Sequence, residues 1–152
     1  ASGDISLLNA GGSNMVVQST SGDVDWRGAG SENTQITTTS GDVDLMEIDA
    51  RQLKIKTISG ETEIRTSQFD NLNISSTSGD VEGSFFAQNS YVQTVSGDIE
   101  IALDRRGKQL CARAKTVSGE SNVYGNNRCD APDAEHYLTA YFSTVSGDIE
   151  IR

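Results

Sequence analysis

The sequence predicts an all-β fold, a β-solenoid in which each repeat of about 19 residues forms one coil. Three observations lead to it: a Ser-Gly-acid phrase that recurs along the whole chain, an alternating apolar segment after that phrase, and a second alternating segment ahead of it. Fifteen glycines and a single proline are typical of strands joined by tight turns.

The recurring phrase is clearest in the octapeptide TVSGDIEI, which occurs at residues 94–101 and again at 144–151. Less exact copies, such as TSGDVDW and TSGDVDL, occur along the rest of the chain. The serines of the eight copies are 19, 19, 19, 19, 18, 22 and 28 residues apart. These serines are Ser2, Ser21, Ser40, Ser59, Ser78, Ser96, Ser118 and Ser146. A recurring period of this length indicates a repeat architecture.

Each repeat is predicted to hold two short strands around a Ser-Gly corner. After the corner, apolar residues such as Val24 and Trp26 alternate with polar ones, and before it Leu53 and Ile55 do the same. The alternation of inward and outward residues shifts by one position at Ser-Gly, so the chain has to turn there. Glycine adopts the backbone conformations of a tight turn at low energetic cost.

Other repeat architectures do not fit this period. A βαβ unit needs about 30 residues, a propeller blade needs about 40, and the leucine-rich and calcium-binding nonapeptide frames are absent. One coil per repeat remains, with coils stacked about 4.8 Å apart. We therefore expect one domain, residues 1–152, with about seven to eight coils and insertions at 103–109 and 123–137.

Charge narrows the set of partners. Twelve Lys and Arg face 22 acidic residues, a net charge of −10, which argues against nucleic acid. No apolar run is long enough for direct membrane insertion. The chain begins inside a repeat and stops at SGDIEIR, where a solenoid would expose a bare strand edge. We expect a mature product or a fragment, with further chain or a partner at its ends.

Fourteen of the 22 acids fall two or four residues after a corner serine, in two outward columns. Neighbouring charges one coil apart repel by about 0.9 kcal/mol in water, so something has to compensate for them. The favoured compensation is local, with the first column accepting backbone N–H groups at the corner and salt screening the rest. Calcium bridging is the second alternative, with Asp23, Asp25, Asp42 and Asp44 as candidate ligands. Basic partners such as cationic peptides are the third. No other cofactor is predicted.

The longer insertion is the candidate binding loop, because loops that project from a solenoid often carry function. Its candidate binding residues are Tyr124, Arg128, His136 and Tyr137.

The two cysteines offer a link between this loop and the coil beneath it. Cys111 has the outward parity of its strand, so a bridge from Cys111 to Cys129 would staple the loop to the stack. Two free thiols are the alternative.

No catalytic residue is predicted. The corner serine occurs in all eight copies, whereas a nucleophile needs one special environment with a base beside it, and the sole histidine lies in an insertion. The chain is therefore expected not to be an enzyme.

The TVSGDIEI phrase, repeated every 19 or so residues from 2 to 151, resembles the bacterial adhesin-like family of β-strand-repeat domains. The resemblance implies a right-handed, single-stranded parallel β-helix located outside the cytoplasm, in the periplasm or at the cell surface. It implies no catalytic residues, and the long seventh repeat departs from the regular spacing.

Together these observations predict a non-enzymatic, exported structural or interaction module of the surface or envelope, with a protein or glycan partner. One alternative is a calcium-stabilised binding module. The other is a polysaccharide-active β-helix enzyme, which would need carboxylates of perturbed pKa in a cleft.

Overall fold

The computed structural model describes residues 3–124 and 137–152, and these two segments contain thirteen β-strands and no helix. No helix there could therefore cross a membrane. The strands are β1 (Ile5–Leu8), β2 (Gly12–Ser21), β3 (Val24–Arg27), β4 (Ser31–Ser40), β5 (Val43–Met46), β6 (Asp49–Ser59), β7 (Thr62–Ser78), β8 (Val81–Ser96), β9 (Ile99–Leu103), β10 (Gln109–Ser118), β11 (Ser121–Val123), β12 (Tyr137–Ser146) and β13 (Ile149–Ile151).

All the strand pairs are parallel, and the strands stack coil on coil, so the predicted β-solenoid is confirmed. Strands that follow a Ser-Gly corner pair with one another, as β3 pairs with β5, and strands that precede a corner pair in the same way, as β4 pairs with β6. About five consecutive coils keep the 19-residue spacing in this register.

The core lies inside the coils and is made by the alternating residues on both sides of each corner. Val24, Trp26, Ile36, Leu45 and Ile55 are each at most 1% exposed. Full burial of an aliphatic or aromatic side chain of this size contributes about 1.5–3 kcal/mol. The period-two pattern therefore both specifies the strands and supplies the main stabilisation.

A bulge explains the one spacing of 18. Asn9 and Glu47 have left-handed φ, 51° and 56°, just after β1 and β5, and Thr66 has φ 48° at the equivalent place within the longer β7. The register between β7 and β8 shifts between Arg65 and Ser67, so Thr66 has no counterpart in β8. The next repeat is shorter by that residue.

The coils do not stack in chain order. β12 lies between β8 and β10, and β13 lies between β9 and β11. The two TVSGDIEI copies are therefore direct neighbours, with Ile99 opposite Ile149 and Ile101 opposite Ile151. The expectation of a bare edge at SGDIEIR is wrong, because β13 is paired on both sides. At this end of the stack, β10 and β11 are the outermost strands among the described residues.

This order accounts for the insertion at 103–109. It leads from β9 to the coil of β10 and β11, which lies two coil spacings away, about 9.6 Å, instead of one. The loop is held against the stack by Asp104 N–H, which donates to Phe85 O at 2.9 Å, and by Lys108 Nζ, which donates to Gln88 Oε1 at 2.7 Å. Most of the insertion at 123–137 lies outside the described residues.

Candidate functional site

The corners place every polar column of the solenoid, and glycine makes them possible. All eight corner glycines have φ between 127° and 147°, a region that other L residues rarely adopt. At Gly41 an added Cβ would lie 2.2 Å from the carbonyl oxygen of Gly22 in the preceding coil. Glycine is thus required by the backbone conformation and by the close stacking of corners.

The first acidic column forms a ladder of hydrogen bonds between coils. Asp23 Oδ1 accepts the Asp42 N–H at 2.9 Å, and Asp42 Oδ1 accepts the Glu61 N–H at 2.8 Å. The same bond joins the two octapeptides, because Asp148 N–H donates to Asp98 Oδ1 at 2.8 Å. The predicted local compensation is confirmed, although each donor belongs to the next coil and not to the same turn.

Glu61 interrupts this ladder. Among the described residues, the longer side chain of Glu61 accepts no hydrogen bond from the N–H of Asp80. Asp80 then begins a second run of the ladder, because its Oδ1 accepts the N–H of Asp98. Desolvation raises the pKa of Glu61 above its usual range, and the charges of Glu82, Asp42, Asp80 and Glu63 raise it further. Because no backbone N–H donates to the Glu61 carboxylate, its repulsion by the surrounding acids is not offset, as it is for the neighbouring aspartates.

The second acidic column is neutralised in part by arginines two residues further along the same strands. Arg27 Nε lies 3.2 Å from Asp25 Oδ1, and Arg65 pairs in the same way with Glu63. Arg152 contacts carboxylates of two coils, Glu150 at 2.8 Å and Glu100 at 3.0 Å. Sequence reasoning missed these partners, although their spacing from the acids is regular.

Asp44 lies in the second column without such an arginine, since Met46 occupies that position. Desolvation raises the pKa of Asp44, and the charges of Glu63 and Asp25 add to the effect, while the arginines of the adjacent coils oppose it. The acidic face is therefore unevenly compensated.

The four calcium candidates are not brought together as one oxygen cage. Asp23 and Asp42 accept backbone N–H groups and Asp25 is paired with Arg27, as described above. Within residues 3–124 and 137–152, no group of three or more His, Cys, Asp or Glu side chains is arranged to hold a metal ion. Calcium binding stays a prediction.

Only part of the predicted binding loop lies within the described residues. Tyr124 is 52% exposed, and its carbonyl oxygen accepts a hydrogen bond from Arg105 Nη2 at 2.6 Å. Tyr137 begins β12, where it is paired with Gln109. Arg128 and His136 lie outside the described residues.

Cys111 is only 6% exposed even though its parity on β10 is outward. Cys129 lies outside the described residues, so the bridge between the two stays a prediction.

A groove of about 860 Å³ crosses six strands on the outer side of the solenoid, on β2, β4, β6, β7, β8 and β12. Two rows of outward side chains border it, seven and five residues before the corner serines. The amide row is Asn14, Asn33, Gln52, Asn71, Asn89 and Thr139. The tyrosine row is Val16, Gln35, Lys54, Asn73, Tyr91 and Tyr141.

The amide row is bonded within itself only in part. Asn33 Nδ2 donates to Asn14 Oδ1 at 3.1 Å, and Asn89 Nδ2 donates to Asn71 Oδ1 at 3.0 Å. A primary amide offers two donor hydrogens and two acceptor lone pairs. Each of these bonds uses one donor and one acceptor, so both partners keep further capacity for a ligand.

The tyrosine row ends in an aromatic pair. Tyr91 and Tyr141 stack with ring centroids 5.1 Å apart and planes inclined by 10°. Tyr91 nevertheless remains 43% exposed. It is a flat apolar surface with a hydroxyl at its edge, a combination that is common at binding sites.

The groove has an unusual charge for this protein. None of the described residues that line it is acidic, and Lys54 is the one cation among them, on a chain of net charge −10. The acidic residues are concentrated at the corners and on the strands that follow them. The repeat thus separates a charged face from a neutral, polar groove.

Sequence reasoning missed the groove, yet a signal was present. Amide residues recur at 14, 33, 52, 71 and 89, with the same spacings of 19, 19, 19 and 18 as the corners. The concave shape that turns this column into one wall of a groove is a property of the stacked backbone.

A family model described as Toastrack DUF4097 matches residues 1–152. No curated protein and no solved structure matches the chain.

Proposed function

Because the chain belongs to the Toastrack DUF4097 family, a repeat family of unknown function, we propose a role that rests on its groove. The domain is a rigid, non-enzymatic interaction module that holds an extended partner chain along the solenoid axis. The observation that carries this proposal is the groove of about 860 Å³ across six strands, with amides on one side and a tyrosine pair on the other.

The other polar columns support the groove as the binding surface. The corner aspartates accept backbone N–H groups, and most of the second acidic column has an arginine within reach. The amide row keeps unbonded donor and acceptor capacity, which is what a ligand requires. A solenoid also presents such a row with fixed spacing and with little conformational entropy to lose on binding.

We also propose that the module is exported and acts at the surface or envelope in an adhesin-like role. The resemblance of its repeats supports this location. The proposed bridge between Cys111 and Cys129 fits it, since disulfides persist in oxidising compartments. Intact mass after alkylation, with and without reduction, tests the bridge: a gain of two adducts only after reduction is expected, and a gain without reduction contradicts it.

The groove is tested by screening the purified chain on arrays of immobilised glycans and extended peptides. We expect at least one polymer to bind, and Tyr91→Ala to weaken that binding. Tyr124→Ala is the matched control, because Tyr124 is an exposed tyrosine outside the groove. Binding that depends on Tyr124 and not on Tyr91 would transfer the role to the loop, and no binding at all would refute the proposal.

A further inference from the structure

We propose, building on the groove-binding function above, that the chain held in the groove is a neutral glycan. The first reason is charge. The described lining has no carboxylate that would attract a cationic peptide, and Lys54 alone is too little to hold a polyanion. A ligand without net charge matches this lining and also tolerates the acidic faces beside it.

The second reason is hydrogen-bonding chemistry. A sugar hydroxyl both donates and accepts, and so does the primary amide of Asn or Gln. Five of the six members of the amide row are amides, one on each successive strand. A row of identical two-way groups suits a polymer whose units present the same hydroxyls again and again.

The third reason is the aromatic pair. Stacking on Tyr141 covers one face of the Tyr91 ring, yet Tyr91 is still 43% exposed. The C–H face of a pyranose ring is flat and apolar, and an exposed aromatic ring is a surface on which it can pack. Tyr91 would then anchor one sugar while the amides bind the hydroxyls of the next ones.

The fourth reason is period, which separates a glycan from a peptide. The groove side chains repeat once per strand, about every 4.8 Å, so equivalent side chains two strands apart are separated by about 9.6 Å. Successive units of a β-1,4-linked glycan are flipped, so the same ring edge returns on every second unit, at a distance close to two strand spacings. An extended peptide advances about 6.6 Å for each pair of residues, so its side chains would fall out of phase within a few strands. The fixed spacing of the amide row favours the glycan.

The test is calorimetric titration of the intact chain with β-1,4-linked glucose and N-acetylglucosamine oligomers of two to eight units, after a screen on an array of neutral and anionic glycans. We expect affinity to rise with length and to level off at about six units, because six strands line the groove. Tyr91→Ala should weaken binding by about tenfold, as for loss of one stacking contact.

Two further variants report on the chemistry without removing a packed ring. Asn71→Asp keeps the oxygen that accepts from Asn89 but replaces an N–H donor with a charge, so it should weaken a neutral glycan and strengthen a cationic peptide. Lys54→Met should change neutral-glycan affinity by less than about twofold. The melting temperature of each variant checks that it is folded.

The outcomes separate this inference from the proposed function. Length-dependent binding of a neutral glycan that needs Tyr91 and not Tyr124 supports both. If only a peptide or an anionic glycan binds in a Tyr91-dependent way, the neutral-glycan inference is overturned and the groove function stands. If no polymer on either array depends on Tyr91, both fail.

Discussion

The corner ladder and the amide row both arise from the same sequence repeat and lie on the same coils. They differ in how many hydrogen-bond donors and acceptors remain unbonded and available to a ligand. In the ladder, a carboxylate such as Asp42 Oδ1 accepts the backbone N–H of the next coil, so the repeat consumes its own polar groups. In the amide row, Asn71 and Asn89 share one bond and keep further donors and acceptors. A repeated polar column is therefore a structural device where neighbouring coils satisfy it, and a binding surface where they do not.

The largest expected effect comes from the corner itself. Gly41→Ala should lower the free energy of unfolding by about 3 kcal/mol or more, because strain at φ 138° adds to a Cβ that would lie 2.2 Å from Gly22 O. Gly107→Ala is the control, since Gly107 also has positive φ, 77°, but an open space around its Cβ. Its cost should be about 1 kcal/mol. Equal losses in urea unfolding would show that stacking of the corners is unimportant.

The next prediction separates the hydrogen bond that Asp42 accepts from the negative charge that it carries. Asp42→Ala removes the acceptor for Glu61 N–H and should destabilise the chain by about 1 kcal/mol. Asp42→Asn keeps an oxygen acceptor and removes a negative charge from a repulsive column, so its stability should equal or exceed that of the wild type. Urea denaturation of both variants decides the point; a larger loss for Asn than for Ala would contradict it.

Glu61→Asp should repair the interruption in the ladder. A shorter carboxylate at this position can accept the Asp80 N–H as its neighbours do, which should stabilise the chain by about 0.5–1 kcal/mol. Thermal unfolding measures the gain. A matched Glu82→Asp change in the second column, where no ladder bond would form, should give no gain.

A smaller, pH-dependent effect follows from the raised pKa of Glu61. The folded state holds the Glu61 proton more tightly than the unfolded state, so ionisation of this group costs stability once the pH rises through its folded pKa. Glu61→Gln should therefore stabilise the chain at pH 7, and the gain should disappear as the pH falls below the ordinary glutamic acid value of 4.5. A gain that persists unchanged at lower pH would point to packing and not to charge.

The smallest expected effect is that of calcium. Because the corner carboxylates already accept backbone N–H groups, millimolar calcium should raise the melting midpoint no more than a salt of matched ionic strength does. A clear calcium-specific rise over a chelator control would revive the bridging alternative at Asp23, Asp25, Asp42 and Asp44. It would also show that the corner ladder, like the amide row, keeps capacity for a ligand.

Much of the architecture was predictable from the sequence because every coil of a solenoid uses the same turn and the same alternation of buried and exposed residues. The period, the Gly turn and the alternation around residues such as Val24 and Leu53 suffice for strands, corners and core. The coil order was not predictable from spacing, because a chain that returns to an earlier layer has the same local pattern as one that moves on. The identity of the phrases at 94–101 and 144–151, which prove to be neighbours, was the available hint.

The candidate site was less predictable for a different reason. Partners such as Arg152, which contacts two coils, depend on layer order, and the groove depends on side chains that six stacked strands bring together. Asn71 and Tyr91 look like ordinary surface residues until the stacking of their strands is known. The length of the insertion at 123–137 had directed attention to the loop that contains Tyr124.

The placement of the last coil has a mechanical consequence. β13 is hydrogen-bonded on both flanks, with Arg152 N–H donating to Ile101 O at 2.9 Å and Tyr124 N–H donating to Ile151 O at 2.8 Å. A tension applied at Arg152 along the strand would have to shear two ladders together, whereas an end coil could be peeled away from one. Strand β13 is therefore expected to resist extraction more strongly than a strand that is paired on one side only.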